Sequence, residues 1–370
     1  MSSRRTALAV IAALTLAGAV ACSGGGSSPA PPKKSSPAAE PKRCPLTGVP
    51  PTDGQDPDRV ALAVKIDNVD VGRPQAGIDR ADLVVEETVE GGLTRLFVVF
   101  QCNTAKDIGP IRSARTSDAA LLRLLGGAVF GYSGANPRAI KPVEQTSNAV
   151  LLSYDANPTL YHRVGDRPAP HNVFTKTQTL LDAGQDKDDS LEAPPPLFTY
   201  TDSVPSASPS TTASTAATAS TAVTASTAAT APTAASTAKT ATKVDLRWSP
   251  DASASWSWAH GRWVRTQNGT ADVLTNHKRV AATNVVVMKI KTKDTGIRDV
   301  VGNPSPDDVI TGSGKVWVFR DGKVFTGRWK RHGIGGAMTL QDANGAPLAL
   351  DPGVTWIELL PPPQGTIKIS

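Results

Sequence analysis

Residues 203–238 contain only Ser, Thr, Ala, Val and Pro, and they divide the chain into two parts. The unit Ala-Ser-Thr-Ala-Ala-Thr begins at residue 213 and recurs at 219, with Val at one position, and at 225. Such a repeat lacks the large apolar side chains whose burial offsets the entropy of ordering a chain. Its Ser, Thr and Pro content opposes a helix, and a hexapeptide solenoid needs recurrent branched apolar residues. We therefore expect a disordered linker over 201–243, whose hydroxyl groups are potential sites of O-glycosylation.

The first residues have the pattern of a bacterial export signal. Two arginines precede an apolar stretch over 7–16, which is too short to span a bilayer, and small residues follow it. This pattern predicts a signal peptide over 1–21. Residues 22–43 are mostly Gly, Ser, Pro, Ala and Lys, which predicts a flexible tether.

Cys22 directly follows the predicted cleavage point. A cysteine there suits thioether attachment of a diacylglyceryl group. Two acyl chains, such as palmitate, anchor a protein stably in a membrane. Ala19 stands where a lipobox usually carries Leu, and residues 19–21 also fit an ordinary Ala-x-Ala site that leaves Cys22 free. We predict lipidation of Cys22, and hence a lipoprotein anchored at the extracytoplasmic face of a bacterial cell membrane.

The charge balance argues against nucleic acid as a partner. The signal carries two of the 39 basic residues and none of the 33 acidic ones, so the net charge of +6 falls to +4 without it. No dense Lys/Arg stripe accompanies this weak bias. Anionic wall polymers and phospholipid headgroups remain open as partners, although a charge this small does not require them.

Two cysteines remain if Cys22 carries lipid. In an oxidising compartment Cys44 and Cys102 most simply form a disulfide, worth about 2–4 kcal/mol for a loop of this length. No cluster of histidines near either cysteine in the sequence supports a metal or catalytic role.

Residues 44–200 mix strand and helix patterns. Strand candidates are 61–66, 93–100 and 150–154, and helix candidates begin at Ser113 and at Pro137, the latter capped by Asn136. Residues 81–90 fit either a strand or a helix. Strands that alternate with helices predict a layered α/β domain over 44–200.

Residues 244–370 have the pattern of a β-rich domain, so the chain is α+β overall. Strand candidates are 284–290, 315–319 and 354–359, and Asp321-Gly322 is a hairpin signal. All seven tryptophans lie in this part. Trp256 and Trp258 share a strand face, which favours core packing over a platform that stacks on sugars.

Four polar clusters before the linker are candidates for chemistry. Their candidate catalytic residues are Asp67, Glu86, Glu90 and His171, and their candidate ligand-binding residues are Asn68, Arg73, Arg95, Arg112, Arg115, Arg167, His171 and Asn172. If a helix begins at Ser113, Arg112 and Arg115 flank its positive end and suit a carboxylate or phosphate. If 81–90 is helical, Glu86 and Glu90 share a face. Each cluster also has a structural interpretation as a turn, a solvated face or a buried ion pair.

Two functions follow from these clusters. One is a binding protein that holds an anionic or polar cell-wall ligand in a cleft of the N-terminal domain. The other is an envelope hydrolase or transferase that uses Glu, Asp and His as acid and base. The sequence has no compact motif of a serine hydrolase, zinc peptidase or P-loop enzyme, and its five histidines lack metal-ligand spacing. It predicts no metal site and leaves any cofactor unknown.

Several ordered motifs resemble the YerB-like bacterial lipoprotein family. They are Cys-Pro-Leu-Thr-Gly at 44, Ile-Asp-Asn at 66, Arg-Pro-Gln-Ala-Gly at 73, Glu-Gly-Gly-Leu-Thr-Arg at 90, Ile-Gly-Pro-Ile-Arg-Ser-Ala-Arg at 108 and Ala-Pro-His-Asn at 169. The resemblance continues after the linker at 312–315, 327–330 and 352–357. It implies a two-part extracytoplasmic protein of unknown function, and it supplies no catalytic residues.

Overall fold

The computed structural model describes residues 42–201 and 238–370, in which the two parts of the chain build a common sheet. The predicted signal peptide, the predicted lipidation site Cys22, nearly all of the tether and most of the linker lie outside these residues. An α/β region with few helices comes first and a β-rich region follows, which confirms the predicted fold class.

The elements of the first region alternate between strands and helices. In chain order they are β1 (Ala61–Asp67), β2 (Leu83–Thr88), β3 (Thr94–Phe100), α1 (Asp118–Leu124), β4 (Ala128–Tyr132), α2 (Pro137–Thr146), β5 (Ala149–Ser153), β6 (His162–Arg163), β7 (Val173–Phe174) and α3 (Thr177–Lys187). Short 3-10 turns occupy Asp70–Gly72, Ile78–Arg80, Glu90–Gly92 and Pro158–Leu160.

The elements of the second region are strands. They are β8 (Lys239–Thr240), β9 (Lys243–Arg247), β10 (Ser253–Ala259), β11 (Arg262–Gln267), β12 (Thr270–Ala271), β13 (Ala281–Ala282), β14 (Asn284–Lys289), β15 (Lys291–Arg298), β16 (Pro304–Val309), β17 (Gly312–Arg320), β18 (Lys323–Arg331), β19 (Met338–Gln341), β20 (Thr355–Leu360) and β21 (Thr366–Ile369). Strand β8 pairs with β18, so ordered structure begins before the expected boundary at 244.

One mixed sheet contains strands of both regions, in the order β19-β18-β17-β14-β20-β2-β3-β1-β4-β5. Strand β20 lies between β2 and β14 and is parallel to both, with Val85 opposite Ile357. The described residues consequently belong to one compact unit. The division of this unit into separate domains over 44–200 and 244–370 remains a prediction.

Both faces of this sheet are covered, so every residue of its central strands β1, β2, β3 and β20 is buried. On one face Val64 and Ile66 belong to a core with α3 and the second sheet, β12-β11-β10-β9-β21. On the other face Ala63 and Phe97 pack with α1. The tryptophans of the second sheet belong to the first core. Trp256 is fully buried, with its ring centroid 5.2 Å from that of Trp356.

One open alternative is resolved, and one local expectation is wrong. Residues 83–88, which fitted either a strand or a helix, form a strand, because β2 hydrogen-bonds to β3 on one side and to β20 on the other. The helix expected at Ser113 begins only at Asp118. The backbone before it is engaged elsewhere, since Arg112 N donates to Lys65 O at 2.9 Å and Ser133 N donates to Arg112 O at 2.9 Å.

A disulfide joins Cys44 to Cys102, whose Cα atoms lie 5.9 Å apart. Both cysteines are buried, and the bond ties the start of the described chain to the residues that follow β3. No helix in the described ranges is both long and apolar enough to cross a bilayer.

Candidate functional site

Residues 110–114 form an extended segment that separates the carboxyl ends of β1 and β4. The Asp67 N–H donates to Pro110 O at 2.9 Å on one side, and Ala114 N donates to Gly134 O at 3.1 Å on the other. The segment therefore presents Arg112 beside the last residue of β1. The carboxyl ends of strands are where open α/β sheets usually bind their ligands.

Asp67, Arg112 and His171 meet at this edge of the sheet. The Asp67 Oδ2 atom lies 2.6 Å from Arg112 Nη1 and 2.6 Å from His171 Nδ1. The Asp67 side chain is fully buried, whereas those of Arg112 and His171 are each 15% exposed. Gly72 packs against the carboxylate so closely that a Cβ there would lie 2.6 Å from Asp67 Cγ. The trio therefore has a fixed carboxylate and two groups that reach solvent.

The charge of Asp67 determines which imidazole nitrogen of His171 donates the hydrogen bond between them. Burial acts to raise the pKa of Asp67, but Arg112, the His171 hydrogen bond and Arg95 outweigh it and bring the pKa below its ordinary value. A carboxylate only accepts, so His171 Nδ1 carries the proton of their hydrogen bond. The His171 Nε2 atom has no hydrogen-bond partner within 42–201 or 238–370.

A second ion pair lies on the other side of Arg95. Arg115 Nη2 is 2.5 Å from Glu90 Oε2, and Ser305 Oγ, from β16, donates to Glu90 Oε1 at 2.7 Å. Burial acts to raise the pKa of Glu90, but Arg115 and Ser305 lower it below its ordinary value. The second region thus fixes one carboxylate of a site built mainly by the first.

Arg95 joins the two ion pairs. Its only side-chain hydrogen bond to a described residue is a long one, from Nη1 to Ser113 O at 3.3 Å. Burial, together with the charges of Arg115 and Arg112, lowers the pKa of Arg95 to about 9. We call Asp67, Glu90, Arg95, Arg112, Arg115 and His171 the arginine cluster. It holds three guanidinium groups against two carboxylates, so an anion would improve its electrostatic balance.

Three other predicted ligand-binding residues lie beside this cluster and bind the protein itself. Arg167 donates to Gly72 O at 3.0 Å and to Pro74 O at 2.6 Å. Asn172 Oδ1 accepts from Arg163 at 2.5 Å, and Arg73 pairs with Asp70. Arg167 therefore fastens the loop that carries His171 to the turn that packs on Asp67.

Glu86 and Asn68 lie away from the arginine cluster. Glu86 is fully buried on the opposite face of the sheet, where Arg265 of β11 forms an ion pair with it. Asn68 Nδ2 donates to Glu86 Oε1 at 2.8 Å. Strand pairing is the cause, because successive side chains of a strand point to opposite faces. Glu86 is thus fully buried and paired, and its role as an acid or base stays a prediction.

The sequence analysis did not predict two buried groups of ion pairs. Lys65 forms ion pairs with Glu87 and Asp118, and Arg265 forms them with Glu86 and Asp272. Part of these ion pairs could have been predicted from the sequence, because the charged residues Lys65, Glu87 and Glu358 interrupt apolar strands. No three His, Cys, Asp or Glu side chains of the described chain are grouped so as to hold a metal ion.

The chain matches two family models, a relative from Bacillus subtilis and a solved structure. Residues 46–190 match the N-terminal domain, and residues 244–357 the C-terminal domain, of "Protein of unknown function (DUF3048)". The Bacillus subtilis protein named "Putative lipoprotein YerB" is 26% identical over 330 residues, which is 87% of each chain. The crystal structure of YerB from Bacillus subtilis has a TM-score of 0.68 at 22% identity, and the match covers 88% of this chain and 99% of that one. These findings confirm the resemblance drawn from the sequence motifs.

Proposed function

We propose that this chain, which belongs to the DUF3048 family of unknown function, binds a carboxylate- or phosphate-bearing component of the cell envelope at the arginine cluster. The observation that carries the proposal is Arg95, a buried guanidinium with one long hydrogen bond and two cationic neighbours. Charge-assisted hydrogen bonds to an anion would satisfy its free donors.

The remaining residues of the cluster would orient this binding. Asp67 and Glu90 hold Arg112 and Arg115 in place, so little side-chain entropy is lost when an anion binds between them. Because two carboxylates oppose three guanidinium groups, the free cluster keeps one excess positive charge. A single carboxylate or phosphate group matches that excess.

A second function is favoured by one observation, the Asp67–His171 pair with an unpartnered Nε2. An imidazole oriented by a buried carboxylate through Nδ1 can take a proton at Nε2, as in acid–base catalysis. On this alternative the protein is an envelope hydrolase or transferase, and the arginines stabilise a developing negative charge.

Arg112→Lys tests the binding proposal. We expect this variant to bind inorganic phosphate and purified peptidoglycan fragments about tenfold more weakly than the parent chain, because lysine loses the planar fork of donors. Titration calorimetry measures the affinity, and Arg328→Lys is the control, since Arg328 is exposed on β18 and makes a single side-chain hydrogen bond, to Ser313. Equal affinities for all three proteins would contradict the proposal.

His171→Gln separates the two functions in the same samples. A binding protein should release no new fragments from peptidoglycan, as followed by mass spectrometry, with or without this change. An acid–base enzyme should release fragments that His171→Gln abolishes while phosphate binding persists.

We also propose that Cys22 anchors the chain at the outer face of the membrane, as the name of the Bacillus subtilis relative suggests for that protein. In the producing bacterium, the parent chain should sediment with membranes and yield an N-terminal Cys22 peptide with diacylglyceryl mass. Cys22→Ser should shift it to the soluble extracytoplasmic fraction, whereas Ser23→Ala should not. An unmodified Cys22 at the mature N-terminus would show ordinary signal cleavage instead.

A further inference from the structure

A groove of about 470 Å³ lies between the two regions, on the other side of the β1 end from the arginine cluster. We define the polar groove by Asn68, Thr94, Gln267 and Asn268 together with two acidic residues at its rim, Asp70 and Asp251. Its volume lies within the range of about 300–1000 Å³ that is usual for small-molecule sites.

The floor of the polar groove contains an unpaired buried amide. Gln267 is 1% exposed, and its Oε1 atom has no hydrogen-bond partner among the residues that the structure describes. Leaving such a group unpaired costs about 1–3 kcal/mol, so a bound ligand that supplies its partner gains from the contact. Gln267 thus marks the groove as a place where a polar ligand fits.

The other groups of the groove are already oriented by hydrogen bonds, one of which joins the two regions. Asn268 Nδ2 donates to Asp70 Oδ1 at 3.1 Å, and Asn268 Oδ1 accepts from Ser253 N at 2.9 Å. Thr94 Oγ1 accepts from Asn68 Nδ2 at 2.8 Å. Because these groups are held in place before binding, the groove loses little entropy when it is filled.

The chemistry of the lining selects the class of ligand. The described lining residues include Asp70, which is paired with Arg73, and Asp251, but no Lys, Arg or His, so the groove offers an anion no cationic partner among them. Carboxylates and amides pair well with hydroxyl groups. Val69, Val71 and Leu93 supply apolar wall, and Val71 is 61% exposed. Alternating hydroxyl edges and apolar C–H faces are the surface of a sugar ring.

We infer that the polar groove binds an uncharged, hydroxyl-rich glycan segment. This site is distinct from the anion site proposed above. Asp67 and Asn68 are consecutive but serve opposite faces of the sheet, so the two sites lie on either side of one strand end.

The test uses the full mature chain and two uncharged probes, the tetramers of N-acetylglucosamine and of glucose. At least one tetramer should bind, and its addition should shift the backbone amide NMR signals of Asn68, Ser253 and Asn268. Gln267→Leu should weaken that binding about tenfold without lowering the free energy of unfolding, because it removes an unpaired buried amide. Gln178→Leu, on the exposed face of α3, is the matched control and should bind as the parent does.

Three outcomes would overturn the inference. Neither tetramer shifts those signals at about 10 mM, a concentration that detects even very weak binding. Inorganic phosphate displaces the tetramer, which would make the groove an anion site. Or Gln267→Leu and Asp251→Asn, a second variant that preserves shape, both bind as tightly as the parent chain. Arg112→Lys should leave tetramer binding unchanged, so failure of the anion proposal and failure of this one are distinguishable.

Discussion

Replacing Arg265 with alanine is expected to lower the free energy of unfolding by about 3–5 kcal/mol at neutral pH. Arg265 is fully buried on β11 and forms ion pairs with Glu86 of β2 and with Asp272. Alanine leaves both carboxylates without their cation in a site that water does not reach. The loss should also separate the second sheet from the central one, since this guanidinium joins them.

Glu358 makes the stability of this buried ion-pair group still more dependent on Arg265. It lies opposite Glu86 in the pairing of β2 with β20 and accepts from Trp256 Nε1 at 2.7 Å. Burial and the charge of Glu86 raise the pKa of Glu358 well above its ordinary value. Glu86 and Glu358 therefore lie close together in a buried site, and the positive charge of Arg265 offsets the repulsion between them.

Urea denaturation followed by tryptophan fluorescence measures the change. The pKa of Glu358 is already raised with Arg265 present, and loss of the cation favours its neutral form further, so the destabilisation of Arg265→Ala should be smaller near about pH 5 than near about pH 8. Arg247→Ala, an exposed arginine of β9, is the control. A loss below about 1 kcal/mol would contradict the assignment, and so would Arg265→Met/Glu86→Gln being no more stable than Arg265→Ala.

Lys65→Met is expected to destabilise the first region by a similar amount, about 3–5 kcal/mol. The Lys65 ammonium group is fully buried in β1, forms an ion pair with Glu87, and lies 2.5 Å from Asp118 Oδ1. Methionine fills the space but leaves Glu87 and Asp118 facing each other without a cation. Lys141→Met, an exposed change on α2, should be nearly neutral.

The pH dependence of this variant has a defined sign. Burial, with the charge of Glu87, raises the pKa of Asp118 from 3.8 to about 6 even with Lys65 present. A folded-state pKa above the unfolded value contributes stability at low pH that is lost as the pH rises through about 6. The deficit of Lys65→Met in thermal denaturation should therefore shrink on acidification, and a deficit independent of pH would contradict the ion-pair explanation.

Lys65 also supports the arginine cluster. The Arg115 N–H donates to Asp118 Oδ2 at 2.6 Å, so the carboxylate that pairs with Lys65 also fixes the backbone of a cluster arginine. We expect weaker phosphate binding by Lys65→Met even below its unfolding temperature.

Local patterns predicted the elements that local forces determine. The apolar run of β1 and the Asn136-Pro137 start of α2 are both as expected, and the Asn136 side chain accepts from Arg138 N at 2.9 Å. The start of α1 was misplaced because residues 110–114 pair with β1 and β4 instead of following their local propensity. Tertiary hydrogen bonds overrode a plausible cap.

The candidate site was predictable only in part, because its residues are distant in the sequence. Asp67, Arg112 and His171 stood out as polar residues in unusual motifs, and they are in contact although Asp67 and His171 are 104 positions apart in the sequence. The pairing of Arg265 with Glu86, 179 residues away, left no local trace. Which strand lies beside β2 is decided by long-range packing, so the burial of Glu86 could not be read from its neighbours in sequence.

The position of β20 between β2 and β14 has a consequence for biogenesis. A ribosome completes β2 long before β20, so the edge of β2 has no permanent neighbour while the rest of the chain is being made. An unpaired strand edge is a template for aggregation. The last strands therefore complete the sheet, and we expect a product truncated before residue 355 to leave that edge of β2 unpaired.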